Sequence, residues 1–588
     1  MKTIYLKIRA ASRYIFSLVS FKKDAADKNP CLNENGGDKN KKKRLSKKSG
    51  WNKKIPNTKV SGIFVCSLKI IILGCNKDNM GNIQFKQLPL SAPSLFPEDI
   101  FEKISLNHPV RLVSEVVDQL NIDAVIKQYK GGGTTSYHPR MMIKILFYAY
   151  TNNIYSCRKI EKALHENIHF MWLSGHSTPD YRTINYFRGK RLKDQIQKLF
   201  AEVVRLLHDL NYLSLDVQYI DGTKIESAAN RYTFVWKGAV EKNKAKLETK
   251  IEAVLHEIAS QIKQDQSALS KDETPRPIDS GELRTRLAAL NENVKDIDKP
   301  TRKNIKKLEE DYLVRLEKYE NQLEILGERN SYSKTDEDAV FMRLKDDHMQ
   351  NGQLKPAYNT QISTDNQFIT HYSIHQTTVD TTTLEEHLNG FEQQYGKQSK
   401  EVIADAGYGS EENYEMMEQK QIDAYVKYNY FHKEQKRAQK QNPFLVQNLY
   451  YNESENYFVC PMGQKLTHTG QGERKSRNGF ISQVDYYEAK RCEGCPLRGM
   501  CHKSIGNKKI EINHKLNEYK AKAREMLTSE RGLLHRRKRP IEVEAVFGQL
   551  KSNNKFSRFT LRKMEKVNIE FGLMSIGHNL RKLAKKAS

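Results

Sequence analysis

Three acidic residues stand in settings from which carboxylates can act together. Asp221 lies in YIDGTKIE, on or just past a predicted strand. Asp405 ends the short apolar strand VIAD, before the glycine-rich turn AGYGS, and Glu544 lies in RKRPIEVEAVFGQLKS. Taken singly, each is an ordinary solvated or capping acid. Two adjacent strands and a packed helix can nevertheless gather three carboxylates across wide gaps in sequence, and such a cluster repels itself unless cations sit in it. Hard oxygen donors at a partly open site favour Mg²⁺ or Mn²⁺. Two such ions about 4 Å apart activate a water or a 3′-hydroxyl and stabilise the leaving oxygen of a phosphodiester. In the third motif Pro540 fits a first helical turn, with Val543, Phe547 and Leu550 as the buried stripe. Glu544, Gly548 and Lys551 then share the neighbouring face, and Glu542 is the rival third acid.

A second constellation is Cys460, Cys492, Cys495 and Cys501, in VCPMGQKL and RCEGCPLRGMCHKS. One CxxC with two further cysteines is a zinc signature, although the spacing after Cys495 is longer than in a simple paired module. Four free thiols or an iron–sulfur cluster are the other readings. Cys31, Cys66, Cys75 and Cys157 are scattered, and in a reducing compartment they are expected as free thiols.

Among other candidates, Asp216 reads as a turn residue and Asp380, in TTVDTTTLEEHL, as a turn or helix-cap acid. His535 is a DNA-contact candidate that catalysis does not require as a base, since bound metals deprotonate the nucleophile.

The elements that must position these groups follow from patterning. His138 to about Leu210 reads as successive helices: MMIKILFYAY is a buried one, and Ser177–Asp180 caps a long one carrying Ile184, Phe187, Leu192, Ile196 and Phe200. Their basic faces (Arg158, Lys159, Arg182, Arg188, Lys190, Arg191) suit a helix-turn-helix DNA binder, with an ordinary helical bundle as the alternative. Leu213–Ile225 changes to a strand period. Residues 239–328 are charged and helical, with Leu247, Ile251, Val254, Ile258 and Ile262 at helical spacing and a break around Thr274–Pro277, and read as an inserted antiparallel helical hairpin. Strand patterns return at Gln361–Thr364 and Phe368–Ile374, and a helix follows from Thr382.

The chain has 588 residues and a formal charge of +27, with a pI near 9.4. That excess points to a polyanion, because Lys and Arg gain affinity for nucleic acid by displacing its condensed counterions. Residues 1–79 hold 16 Lys and 3 Arg against 5 acids, about half of the total charge. This segment reads as a disordered basic extension: a DNA-binding arm, a solvated tail, or sequence upstream of a true start at Met80. No stretch reaches the roughly 18–20 apolar residues that cross a bilayer, and Lys7, Arg9 and Arg13 interrupt any signal-peptide pattern. The expected location is the cytoplasm.

From about Met80 to Leu583 the chain resembles the DDE transposases of bacterial insertion sequences, those with an InsH-type N-terminal domain. The resemblance is carried by YHPRMMIKILFYAY, SCRKIEKALHENIHFMWLSGHSTPDYRTINYFR, YIDGTKIESAANRYTFVWKG, TDEDAVFMRLKD, NGQLKPAYNTQIS, IADAGYGSEENY and VEAVFGQLKSNNKFSRFTLRKMEKVNIEFGLMSIGHNLRKL, in that order. It implies an α/β fold: a ribonuclease-H-like mixed sheet flanked by helices, with an all-α N-terminal domain, an inserted helical hairpin and a small Cys-rich insertion. The expected domains are a helical DNA-binding domain over 80–212 and a catalytic domain over 213–583, the latter with insertions at 239–328 and 450–510. The implied triad is Asp221, Asp405 and Glu544. The implied activity is hydrolysis at transposon ends, then attack of the freed 3′-OH on target DNA, by a protein acting as a homodimer on DNA in the nucleoid.

Related transposases place a Lys seven residues after the catalytic Glu, as Lys551 stands to Glu544, and an Arg four before it. Here that position is Pro540, so Arg537 or Arg539 is the substitute. Lys551, Arg558 and Arg562 are expected to hold DNA phosphates, with Arg539, Arg182 and Arg188 as further contacts. Tyr232 and Trp236 could stack on an unpaired base or belong to the core. Similar Cys clusters occur in the same family, which favours a structural Zn²⁺. The rival functions are a co-opted or decayed DNA-binding protein without catalysis, and a nuclease that cuts without joining.

Overall fold

The computed structural model describes residues 100–587, apart from 131, 133–134, 266–277, 293–298, 345–351 and 477. The basic segment 1–79, the alternative start at Met80, Cys31, Cys66, Cys75 and the helix break at Thr274–Pro277 lie outside the described residues. Phe85–Gln128 and Ser136–Ser588 form one compact unit. Of the other unit, Met1–Gln84 with Tyr129–Thr135, few residues are described.

The helices used below are α1 (Pro109–Gln119), α2 (Pro139–Thr151), α3 (Cys157–Glu166), α4 (Ile168–Ser174), α5 (Tyr181–Tyr186), α6 (Ile196–Asp209), α7 (Lys237–Asp265), α8 (Leu384–Tyr395), α9 (Glu411–Gln419), α10 (His514–Thr528), α11 (Glu530–Arg539) and α12 (Met564–Ala587). α1 and α2 start alike. A histidine at the N-cap, His108 or His138, accepts a backbone N–H two residues on, and the following proline sits in the first turn. There its missing N–H costs no helical bond. The long helix expected after Asp180 is two, α5 and α6, separated by a π-turn at Phe187–Arg191. All five of its expected apolar residues are nonetheless buried.

α2 is apolar on nearly every face because it is enclosed. A Cβ on Gly577 of α12 would stand 2.9 Å from the Tyr150 carbonyl carbon, and one on Gly572 would meet Ile196 of α6 and Tyr372. Arg581 donates to the Tyr150 and Thr151 carbonyls at 3.1 and 2.5 Å, groups that the end of α2 leaves without helical partners. The N-terminal helices and the last helix of the chain therefore share one core.

The fold is mixed α/β. Its principal sheet is built on β1 (Val217–Glu226), which pairs antiparallel with β5 (Leu354–Asp365) and parallel with β7 (Glu401–Ala404). β7 pairs parallel with β8 (Asp423–Val426). On its other edge β5 carries β4 (Val340–Arg343) at one end and β6 (Phe368–His375) at the other. β5 and β6 join at Asn366–Gln367, both with positive φ, the conformation of a two-residue hairpin turn.

The insertion leaves and re-enters through a short ladder of β2 (Phe234–Trp236) with β3 (Ser331–Ser333). Among the described residues it is more than a two-helix hairpin, with α7, Ser280–Glu292, Lys299–Lys307 and Val314–Leu326. Leu247, Ile251 and Ile258 share a core with Leu283, Leu287, Leu308 and Leu316. The Cys-rich region holds an antiparallel five-stranded sheet: β9 (Tyr450–Asn452), β10 (Tyr457–Val459), β11 (Lys465–Lys475), β12 (Ile481–Ala489) and β13 (Lys509–Ile512), neighbours in chain order. Among the described residues, no helix is long and apolar enough to cross a membrane.

Candidate active site

The parallel register of β1 and β7 sets the first two acids. Tyr219 pairs with Ile403, and two residues further on stand Asp221, within β1, and Asp405, the first residue past β7. Because side chains alternate, a two-residue step returns both to one face. Asp221 accepts from the Gly222 N–H at 2.9 Å and Asp405 from the Ala406 N–H at 2.8 Å. Each carboxylate is thereby oriented by its own backbone.

The third acid arrives on a continuous helical run. Pro540 does not start a helix: α11 passes through it into a π-turn, Pro540–Glu544, closed by the Ala545 N–H on the Pro540 carbonyl. A wider turn accommodates a proline that lacks the N–H and crowds the preceding turn. Arg539 precedes Glu544 by five residues rather than four, and a π-turn needs five residues to bring two side chains to one face. The expected stripe Val543, Phe547 and Leu550 is buried, joined by Val546.

The three carboxylates meet around one guanidinium. Arg539 Nη1 lies 2.6 Å from Glu544 Oε1, and Nη2 lies 3.4 Å from Asp221 Oδ1 and 4.0 Å from Asp405 Oδ2. The Arg539 side chain is 5% exposed, against 20% for Asp221, 53% for Asp405 and 50% for Glu544. Glu542 turns elsewhere: it is buried, and its Oε2 accepts the Gln367 N–H of the β5–β6 turn at 2.6 Å.

A buried polar network lies beneath Asp221. Gln361 donates to Asn359 at 3.2 Å and to Asp380 at 3.1 Å, Asn359 donates to Asp380 at 2.7 Å, and Tyr408 donates to Gln361. The Asp380 side chain thus accepts from two amides rather than capping the following turn. Burial first, then the nearby Asp380 and Asp221 charges, holds the Tyr408 hydroxyl in its protonated form.

Sequence reasoning passed over Lys427. It follows β8 directly, beside Asp405 in register, since Ala404 pairs with Val426. Burial lowers its pKa, and it interacts with the charges of Asp405 and Glu544. A charged residue immediately after a parallel strand was the available signal, because the C-terminal ends of such strands are where ligands gather.

The expected DNA contacts divide. Arg558 donates to the Ser227 and Ala229 carbonyls, both at 3.0 Å, and Arg562 to the Ala228 carbonyl at 3.0 Å, so both hold the chain after β1 while staying exposed. Lys551 is half-buried on the π-turn Gln549–Asn553. Arg182 is exposed near the Tyr181 ring. Arg188 and Arg539 do not lie on a surface. Arg188 is buried, donating to the Tyr150 hydroxyl and the Tyr155 carbonyl, because its π-turn sits against α2. Trp236 packs between Phe234 and Phe341, whereas Tyr232 is 76% exposed. His535 is also internal, bonded to Tyr219 and close to Glu401.

Cys460, Cys492, Cys495 and Cys501 line one small cavity with His502. Gly463 and Gly494 have positive φ, the freedom that tight turns at such cysteines require. The Lys508 N–H points to Cys492 Sγ at 3.3 Å. His502 Nδ1 pairs with the Ser504 hydroxyl at 2.6 Å, while its buried Nε2 has no hydrogen-bond partner. The donor chemistry suits zinc. Even so, among the described residues no three His, Cys, Asp or Glu side chains are gathered as a metal site.

Comparison with known families finds transposases at two places. Residues 98–190 match a Transposase domain (DUF772), and residues 459–584 match a Transposase DDE domain. The second match contains the four cysteines, Arg539, Glu544 and Lys551; Asp221 and Asp405 lie outside both. No curated protein and no solved structure matches the chain. The two matches bear out the resemblance to insertion-sequence DDE transposases.

Proposed function

We propose that this chain, carrying transposase domains near both ends, cuts DNA at the ends of its insertion sequence and joins the freed 3′ ends to target DNA. The observation that carries the reading is the placement of Asp221, Asp405 and Glu544 around the one guanidinium of Arg539. A three-stranded antiparallel meander continued by two parallel strands fits the ribonuclease-H-like core that the family implies. The acids would be the catalytic residues. Their hard oxygen donors and partial exposure suit Mg²⁺ or Mn²⁺, which when bound would activate the attacking oxygen and stabilise the leaving one.

The remaining residues have defined tasks. Gly222 and Gln361 set the height of Asp221 against β5. Lys427 and Lys551 present positive charge to the strand being cut, and Arg558 and Arg562 extend it along the loop after the catalytic helix. The N-terminal helices supply end recognition, with Arg182 on their exposed face, in a homodimer bridging two ends. The four cysteines would hold a structural Zn²⁺ with Cys460 on one turn and Cys492 and Cys495 on another.

The test is a cleavage and strand-transfer assay on labelled DNA bearing the element's own ends, with Mg²⁺, comparing wild type with Asp405→Asn. Cleavage and joining by the wild type alone supports the proposal. Cleavage without joining favours a nuclease, and binding without cleavage by both proteins favours a DNA-binding protein.

A further inference from the structure

The acidic cluster already contains a cation, and it belongs to the protein. Three carboxylates against one guanidinium leave a formal charge of −2 among these four side chains. Arg539 is buried yet poorly satisfied: neither Nε nor Nη2 has a hydrogen-bond partner. Its one short contact is with Glu544 at 2.6 Å, while the two aspartates stand off at 3.4 and 4.0 Å. A magnesium ion draws its oxygen ligands to about 2.0–2.1 Å. An ion held by these acids would compete with the guanidinium for the same carboxylate oxygens. The flanking π-turn makes the arrangement specific, since a regular turn would carry Arg539 off the Glu544 face.

We infer that Arg539 is a resident cation of the active site: it holds Asp221, Asp405 and Glu544 together, and divalent metal displaces it when the site is loaded. Arg539 is a positioning residue, acting through the acids. It offsets carboxylate repulsion before metal arrives, and it weakens metal binding by competing for the same oxygens. This inference rests on the reading of the triad as metal ligands.

The experiment is Mn²⁺ titration of the full chain without DNA, read by electron paramagnetic resonance, for wild type, Arg539→Ala, Arg539→Lys and Asp405→Asn. Melting temperatures are taken in chelator and in Mn²⁺. Arg539→Ala is expected to bind Mn²⁺ roughly tenfold more tightly or better, the low end of the coupling between close charge pairs. It should melt lower than wild type in chelator and gain more on adding Mn²⁺. Arg539→Lys should fall between the two, because one ammonium cannot face three carboxylates as a planar fork does. Unchanged or weaker Mn²⁺ binding by Arg539→Ala, with binding lost in Asp405→Asn, overturns the inference and leaves the triad standing. Wild-type binding by Asp405→Asn overturns the triad itself. Should Arg539→Ala not fold, Arg539→Lys decides: tighter binding than wild type supports the competition, and equal or weaker binding refutes it.

Discussion

Gln361 lies so close to Gly222 that a Cβ on the glycine would stand 2.7 Å from its Oε1. The glycine that follows the first acid therefore leaves room for a side chain from the neighbouring strand, and Gln361 in turn is held by Asn359, Asp380 and Tyr408. Gly222→Ala must push Gln361 aside or lift Asp221. Overpacking of this kind costs about 1–3 kcal/mol. The expected outcome is a lower denaturation midpoint with DNA cleavage reduced by more than the folded fraction explains. Wild-type cleavage by a folded Gly222→Ala protein would show that the network does not position Asp221.

Glu542 and Glu544 are two residues apart and face different partners, so their substitutions should separate cleanly. Glu544→Gln is expected to bring end cleavage to background with DNA binding and melting temperature little changed. Glu542→Ala frees the Gln367 N–H and should lower stability by about 1–3 kcal/mol while cleavage persists. The reverse pattern in a gel-based cleavage assay would exchange their roles.

Much of the site was legible because strand period and flanking turns are local signals. YIDG announces an acid on or just past a strand, VIADAGYG one at the end of an apolar strand, and Val543, Phe547 and Leu550 a buried stripe. What was not legible depends on geometry that only the fold provides. The π-turn at Pro540 reads as a helix start, since proline favours first turns, yet here the helix continues through it. Arg188 and Arg539 look like surface cations until α2 and the triad enclose them. The strands β9–β13 were hidden in a segment read only as a small Cys-rich insertion.

Arg188 provides a direct check on that enclosure. Arg188→Met removes hydrogen bonds to Tyr150 and Tyr155 and takes away the positive charge that Arg188 sets near the buried Glu570. Loss of bonds to a charged group predicts destabilisation of about 2–3 kcal/mol or more. The salt dependence of DNA binding should be unchanged, because each phosphate contact adds about one unit to that slope. A slope smaller by about one would return Arg188 to the DNA interface.

Metal removal tests the cysteine cavity. With a structural zinc present, purified protein should carry about one zinc per chain, and Cys495→Ser should lower that content. Strong chelation should raise hydrogen exchange in β10–β12 before it affects the principal sheet, since a structural zinc contributes folding energy to its own module. Absence of zinc in the wild-type protein, with unchanged exchange after chelation, would assign the cysteines as packing thiols.

Acid should loosen the packing around His371. His371 is buried beneath α8 with Nδ1 against Gln394 Oε1 at 2.9 Å and Nε2 without a partner. Burial lowers its pKa to about 4, the Gln394 bond opposing and the neighbouring His375 adding to the shift. An unfolded histidine takes its proton near pH 6.5, so the folded state binds fewer protons between about pH 6.5 and 4. The stability that His371 contributes is thus full above pH 6.5 and is lost as pH falls toward 4. Glu542 and Glu570, whose pKa values burial raises, work in the opposite direction, so a single-site comparison is the decisive one. Asn at position 371 keeps a donor for Gln394 and cannot titrate. Between pH 7.5 and 5.5, His371→Asn should lose about 1.3 kcal/mol less unfolding free energy than wild type, as one histidine taken to one unit below its unfolded pKa implies. Equal losses in paired urea titrations would mean that His371 accepts its proton without unfolding the sheet around it.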